Sequence, residues 1–197
     1  MTLVLASNNA HKIEEIRPLL HGMTLKIPRD LGLDFDFAEN GTSFIENALG
    51  KALALHGMSG QACLADDSGL CVDALGGRPG VYSARYGSKE GEEPLSSPKR
   101  NALLLREMEG ISLRSCRFIC CLALVISADR VFTIQESCEG LLLERPRGEG
   151  GFGYDPIVFL PELSKSVAEL SQEEKGRVSH RGKALARLKA LLDGFEG

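Results

Sequence analysis

Two adjacent carboxylates, Asp66 and Asp67, directly follow the apolar run 62–65. Such a run predicts a buried strand, and Ser68-Gly69 after it predicts a turn. The two acids are therefore expected at a strand tip, where open α/β sheets bind their ligands. Neighbouring like charges repel and lose solvation on burial, so folding alone gives no reason to keep both ionised. A divalent cation would relieve this conflict, whereas an ordinary polar turn would need none.

A second group of polar residues shares one face of a predicted helix. Ser43 begins that helix, and Glu46 three residues later completes a capping-box pattern. At about 100° per residue, Glu46, Asn47 and Lys51 fall within an arc of about 140°, away from the apolar face. This face could form the wall of a site with Glu46 as a metal ligand. The capping box also explains Glu46 by itself, and solvation explains Lys51.

Two basic segments could bind an anion. The segment Ser7–Lys12 joins a predicted strand to a predicted helix, and backbone N–H groups at a helix start attract phosphate. It is not a Walker A loop, because Gly-x-x-x-x-Gly-Lys is absent, and an ordinary turn explains it as well. Ser179-His180-Arg181 predicts a capped helix start, where Arg181 could bind an oxygen acceptor and the nearby Lys175 adds charge. Solvated polar residues are the alternative there.

The most glycine-dense stretch, 148–156, places Phe152 between two glycines. Glycine allows another flat group to approach a ring closely, so a base could stack on Phe152. Asp155 could accept a hydrogen bond from an N–H on the edge of that base. The alternative is a glycine-rich turn in which Phe152 fills the core.

Composition bounds the class of protein. The 197 residues suit one domain, 1–197, with two lobes that share one sheet. A net charge of −4 gives no general attraction to nucleic acid. No apolar run approaches the roughly 18 residues of a membrane span, and the start lacks the basic region of a signal peptide. The six cysteines lack zinc-site spacing and are expected as core thiols of a cytoplasmic protein.

Together these motifs closely resemble the inosine triphosphate pyrophosphatases, the family that removes non-standard purine nucleotides. The matching stretches occur in the family's order over nearly the whole chain. They are Leu5–Lys12, Phe44–Ala48, Ala65–Leu70, Gly80–Tyr86, Gly150–Pro156 and Ser179–Gly182.

The resemblance implies an α/β fold with a long twisted mixed sheet, flanking helices and two lobes around a central cleft. It implies a homodimer whose substrate is a purine nucleoside triphosphate. It also implies Mg²⁺-dependent hydrolysis of ITP, dITP and XTP between the α and β phosphorus atoms, which gives the monophosphate and pyrophosphate.

The same resemblance assigns roles to residues. Asp67 is expected as proton acceptor and metal ligand, with Glu46 close to the metal. The resemblance places Arg181 in the base pocket, and base chemistry makes it the candidate donor to the 6-keto oxygen that separates hypoxanthine and xanthine from adenine. The family usually has glycine where His11 and Asn8 stand, and Pro18 is unexpected in the first helix. The expected substrate-binding residues are Ser7, Asn8, Asn9, Ala10, His11, Lys12, Lys51, Ser68, Phe152, Gly153, Tyr154, Asp155, Lys175, His180 and Arg181.

Three other functions compete with this interpretation. The fold-related septum-formation-inhibitor-like pyrophosphatases act on pyrimidine or modified nucleotides, but Ser179-His180-Arg181 and the glycine loop argue against them. A non-catalytic nucleotide sensor would not need both Asp67 and Glu46. A structural dimer module would leave the paired acids unexplained.

Overall fold

The protein is described by a computed structural model over residues 1–89, 91 and 93–194. The last three residues of the predicted domain 1–197, and Glu90 and Glu92, lie outside the described residues. Seven strands form one sheet in the order β2-β1-β3-β4-β5-β6-β7. The strands are β1 (Thr2–Leu5), β2 (Thr24–Lys26), β3 (Cys63–Val72), β4 (Ser115–Ser127), β5 (Arg130–Leu142), β6 (Val158–Leu160) and β7 (Lys165–Ser166).

The sheet is mixed. Strand β1 is parallel to both β2 and β3, whereas β6 is antiparallel to both β5 and β7. The α-helices are α1 (Ala10–Leu19), α2 (Phe44–Ser59), α3 (Ser97–Glu107), α4 (Gln172–Val178) and α5 (His180–Asp193). The predicted α/β class with helices around a mixed sheet is therefore confirmed.

Serine side chains cap the starts of α2 and α5, as the sequence predicts. The Ser43 hydroxyl accepts from the Glu46 N–H at 3.3 Å, and the Ser179 hydroxyl accepts from the Gly182 N–H at 3.1 Å. At α4, Ser171 and Glu174 form a reciprocal capping box. These contacts satisfy backbone donors that a helix start leaves unpaired.

The predicted turn at Ser68-Gly69 is wrong, because β3 runs straight through it. Gly69 does not adopt a positive φ, and the Leu70 N–H donates to the Ser83 hydroxyl at 2.9 Å. The acids therefore lie within a strand rather than at its tip. Successive strand residues point to opposite faces, so Asp66 and Ser68 share one face and Asp67 takes the other.

The chain divides into two compact units. The first unit contains Met1–Ser68, Cys120–Glu136 and Gly176–Gly197, and the second contains Gly69–Ile119 and Ser137–Lys175. In the first unit, apolar residues of three strands and two helices form a core. Its largest members are Leu3, Leu5, Ile16, Leu20, Leu64, Leu122, Leu124, Leu185, Leu188 and Leu192.

All six cysteines lie in the described part of the chain and are buried as thiols, as the sequence predicts. Among the helices of the described residues, none combines the length and hydropathy that crossing a membrane requires.

Candidate active site

Asp66 is a buried carboxylate, 1% exposed, that faces two cations. Arg181 Nε donates to its Oδ2 at 2.9 Å, and Lys12 forms an ion pair with its Oδ1. The Ser68 hydroxyl donates to Oδ1 at 2.9 Å, and the Cys120 thiol lies 3.2 Å from Oδ2. Burial alone would raise the pKa of Asp66, but the charges of Arg181 and Lys12 hold it well below its usual range. Asp66 therefore stays ionised as a fixed anion of the first unit.

Arg181 is itself buried, and its guanidinium is held from several sides. Besides its bond to Asp66, Nη1 donates to Glu15 at 2.5 Å and Nη2 donates to the Ser68 hydroxyl at 2.8 Å. Its role as donor to a 6-keto oxygen stays a prediction, while these contacts make it a partner of Asp66. No sequence pattern indicated Glu15, which lies 166 residues from Arg181 along the chain.

Asp67, 4% exposed, lies in a different environment from its neighbour. Asn47 Nδ2 donates to its Oδ2 at 3.0 Å, and the Ser68 N–H donates to its Oδ1 at 3.1 Å. Lys51 Nζ is 3.9 Å from Oδ1. Burial raises the pKa of Asp67 more than the charge of Lys51 lowers it. A buried carboxylate with a raised pKa is suited to accept a proton near neutral pH.

Lys51 connects this carboxylate to a residue that sequence reasoning missed. Its Nζ donates to Glu39 Oε1 at 2.5 Å and to the Asp66 carbonyl at 2.7 Å. Glu39 also raises the pKa of Asp67 through its negative charge. Glu39 lies in a segment without regular structure, so no periodic pattern could have indicated it.

Glu46 is exposed and serves the start of α2. Its Oε2 accepts from the Thr42 hydroxyl at 2.9 Å and from the Thr42 N–H at 2.7 Å, and these bonds lower its pKa. Its role as a metal ligand stays a prediction.

The loop between β1 and α1 has the polar geometry of a helix start. Asn9 is the N-cap of α1, and its side chain accepts from the Lys12 N–H at 3.3 Å. The Asn9 N–H donates to the Ser7 hydroxyl at 3.2 Å, and Asn8 Nδ2 donates to the Phe35 carbonyl at 2.9 Å. The loop therefore brings Ser7 and Lys12 to the first turn of α1. The exposed residues Ala10 and His11 begin that turn.

A separate cluster lies in the second unit around Asp155. Its Oδ2 accepts from Lys175 Nζ at 2.6 Å and from the Phe152 N–H at 2.8 Å. Lys175 Nζ also lies 5.0 Å from the centre of the half-buried Phe152 ring. A Cβ at Gly151 would lie 2.1 Å from Asp155 Oδ2, so this loop requires glycine there. The cluster combines an aromatic face, a fixed carboxylate and a cation.

The other predicted residues of the glycine loop are held by the protein. The Tyr154 hydroxyl donates to the Ser83 carbonyl at 2.9 Å, and burial raises its pKa. The Gly153 carbonyl accepts from Asn101 Nδ2 at 3.0 Å. Tyr154 therefore anchors the loop inside the second unit. His180, in the first unit, is buried at the first position of α5.

The fold and these clusters define an α/β protein with a mixed seven-stranded sheet and a buried pair of carboxylates among lysine and arginine side chains. Residues 3–191 match the Ham1 family, and the chain belongs to that family.

Proteins similar to this chain in sequence and in structure support the same family. The chain is 46% identical over 194 residues to a dITP/XTP pyrophosphatase of Treponema denticola, covering 98% of this chain and 100% of that protein. It is 48% identical over 186 residues to a dITP/XTP pyrophosphatase of Gloeobacter violaceus, covering 94% and 91%. A HAM1 protein from Coxiella burnetii is similar with a TM-score of 0.89 and 36% identity, covering 98% of this chain and 99% of that one.

Proposed function

We propose that this protein hydrolyses the non-standard purine nucleoside triphosphates dITP, ITP and XTP to the monophosphate and pyrophosphate. Membership of the Ham1 family and relatives named dITP/XTP pyrophosphatase support the substrate class. The observation that carries the reaction type is Asp67, a buried carboxylate with a raised pKa between an amide donor and a lysine.

Asp67 acts in this proposal as the proton acceptor for the water that attacks the α-phosphorus. Asn47 and the Ser68 N–H hold its two oxygens in place. Asp66 has no part in proton transfer in this proposal, because Arg181 and Lys12 keep it ionised and form ion pairs with its two oxygens. The adjacent acids therefore have separate roles.

The triphosphate is bound by cations gathered locally in a chain whose net charge is −4. Lys12 and Lys51 supply charge next to Asp67, and both donate to the Asp66 carbonyl. The N-terminus of α1, where Asn9 caps the helix, adds backbone N–H groups that favour phosphate. Positive charge held in place in this way stabilises the charge that moves onto pyrophosphate. Ser7 and Ser68 add hydroxyl groups.

The predicted ligands Asp67 and Glu46 are carboxylates, and carboxylate oxygens are the ligand type that Mg²⁺ prefers. Within the described residues, no three His, Cys, Asp or Glu side chains gather as a complete metal site. Mg²⁺ commonly uses one or two carboxylates together with substrate phosphates, so a complete protein cage is not needed. Asp67 would hold the ion, with Glu46 as the predicted second ligand and Glu39 as the carboxylate that shares Lys51 with Asp67. When bound, Mg²⁺ would neutralise phosphate charge and orient the triphosphate.

The cluster around Asp155 is proposed to bind the purine. The ring of Phe152 offers a stacking surface, and Asp155 offers a carboxylate held by Lys175. A donor to the 6-keto oxygen would disfavour adenine, whose amino group would leave that donor unpaired. Arg181 is the proposed donor, and it would have to act while bonded to Asp66, Ser68 and Glu15. A homodimer and a cytoplasmic location belong to the same proposal.

Pyrophosphate release from a panel of nucleotides tests this function. The panel contains dITP, ITP, XTP, ATP, GTP and a pyrimidine triphosphate, each with and without Mg²⁺. Release should be greatest with dITP, ITP and XTP and should require Mg²⁺. Asp67→Asn should lower turnover by about 10²- to 10⁴-fold, because it removes the proton acceptor. Asp34→Asn, at an exposed acid, is the matched control and should retain full activity.

Three results would contradict parts of the proposal. Absence of release from every nucleotide would remove the enzymatic function, and preferred release from the pyrimidine would favour the septum-formation-inhibitor-like class. Normal turnover in Asp67→Asn would remove Asp67 as the proton acceptor.

A further inference from the structure

Asn47 is a buried polar residue whose position is not explained by helix formation alone. It is 1% exposed and lies on the buried face of α2 with Ala48, Lys51 and Ala52. Asn47 is the fourth residue of α2, and a buried amide is costly unless its hydrogen bonds are made. Packing alone would favour an apolar residue at this position.

The orientation of the Asn47 amide is set by the backbone. The Gly41 N–H donates to Asn47 Oδ1 at 2.8 Å. A backbone N–H can only donate, so the amide oxygen must face Gly41 and the NH₂ group must face Asp67. That NH₂ group donates to Asp67 Oδ2 at 3.0 Å.

Glycine at position 41 makes this arrangement possible. A Cβ there would lie 2.6 Å from Asn47 Oδ1 and 2.9 Å from the Glu46 Cβ. Such contacts are too short for the amide to keep its place. The side-chain geometry of Asn47 therefore depends on a residue outside the helix.

We propose that Asn47, oriented by Gly41, is the positioning residue for Asp67 in the reaction. The amide fixes the rotation of the carboxylate, with Oδ2 at the NH₂ group and Oδ1 on the side of the Ser68 N–H and Lys51. An uncharged donor does this without adding a further cation to Lys12 and Lys51. The inference rests on the proposed function, because it assigns Asn47 a role in that reaction.

Kinetics of two variants test the positioning role. Asn47→Ala removes the donor, whereas Gly41→Ala keeps Asn47 and displaces its oxygen. Both should lower kcat for dITP by about 10- to 100-fold, since small misplacements of a catalytic group have effects of this size. The KM should stay within about twofold, because neither change removes a group proposed to bind the nucleotide.

Gly57→Ala is the matched control. Gly57 lies on the same helix, and a Cβ there meets no atom within 4 Å. Its kcat should equal that of the wild type. Equal kcat in wild type and Gly41→Ala, or equal losses at positions 41 and 57, would overturn the inference. A rise in KM with unchanged kcat would assign Asn47 to binding and overturn it as well.

A double-mutant cycle and a spectroscopic signature complete the test. In an Asp67→Asn background, Asn47→Ala should cause no further loss of turnover, because the two residues act as a unit. In nuclear magnetic resonance spectra, the side-chain amide proton of Asn47 bonded to Asp67 should shift in Asp67→Ala and Gly41→Ala but not in Gly57→Ala. Additive kinetic effects or an unchanged amide signal would overturn the inference. If the wild type releases no pyrophosphate, the proposed function fails, and the amide signal still decides the Asn47–Asp67 contact.

Discussion

At the scale of the residue, adjacent acids have different chemistry because they alternate across a strand. Asp66 faces Arg181 and Lys12, which lower its pKa, whereas Asp67 faces Asn47 and Lys51 with its pKa raised by burial. The separation follows from the period of two in an extended chain. One residue of the pair is therefore a structural anion, and the other is available as a base.

The two acids should respond in opposite directions to neutralisation. The folded pKa of Asp66 lies below the unfolded value of about 3.9, so its ionised form stabilises the fold above that pH. This contribution disappears as the pH falls through the folded pKa. Asp66→Asn should therefore lose about 3–5 kcal/mol at pH 7, because it leaves Arg181 and Lys12 buried without their anion. The loss should shrink below about pH 4. Urea unfolding at several pH values measures both effects.

Asp67→Asn should have the reverse effect on stability. The folded pKa of Asp67 is raised, so ionisation costs stability that is absent below about pH 3.9 and complete above the folded pKa. The variant should gain on the order of 1 kcal/mol at pH 7, about 2–4 °C in Tm, while losing turnover. The same urea series at pH 7 and pH 4 measures this gain. A loss at pH 7 comparable to that of Asp66→Asn would contradict the division of roles.

Much of the site could be predicted from residue types, but its pairing could not. Asp66, Asp67, Lys12 and Lys51 stand in recognisable local patterns. Arg181, which binds Asp66, is 115 residues away along the chain. Glu39 lies in a segment without regular secondary structure. Long-range ion pairs of this kind follow from the tertiary fold, which no local pattern contains.

At the scale of the element, the starts of α2 and α5 were predictable and the central strand β3 was not. Ser43 and Ser179 are capping residues whose signal lies within four positions of sequence. The Asp-Ser-Gly composition of β3 is typical of a turn, but β3 is paired on both sides within the sheet. Sheet pairing therefore overrides the local preference of those residues for a turn.

The junction between α4 and α5 depends on glycine. A Cβ at Gly182 would lie 1.9 Å from the Gly176 carbonyl oxygen, which is backbone and cannot move aside. Gly182→Ala should therefore destabilise the protein by about 3 kcal/mol, the upper end for overpacking. It should also lower turnover, because Arg181 precedes it at the start of α5. Thermal unfolding measures the first effect. A Tm equal to that of Gly57→Ala would contradict this account of the junction.

At the scale of the whole molecule, each compact unit is assembled from separate parts of the chain. The first unit takes one segment from the start, one from the middle and one from the end. Its core accordingly joins Leu5, Leu122 and Leu188. The spacing of apolar residues predicted an apolar face for each segment, but it did not indicate which of these faces pack together. The environment of Asp66 therefore depends on Arg181, which lies 115 positions away along the chain.

This organisation predicts that the C-terminal helix stabilises the unit that begins at the N-terminus. Leu188 is buried among residues of that core, so Leu188→Ala should cost about 2–5 kcal/mol in the free energy of unfolding. Leu113→Ala is the same chemical change at a side chain 54% exposed, and it should stay within about 0.5 kcal/mol of the wild type. Denaturant titration measures the free energy of unfolding of the two variants, and thermal unfolding gives their Tm values. If both variants lost the same small amount of unfolding free energy, α5 would not contribute to the stability of the core of the first unit. Below its unfolding temperature Leu188→Ala should retain wild-type turnover, because Leu188 is not one of the residues proposed to bind the nucleotide or to accept the proton. This result would separate the stability of the unit from the chemistry that it carries.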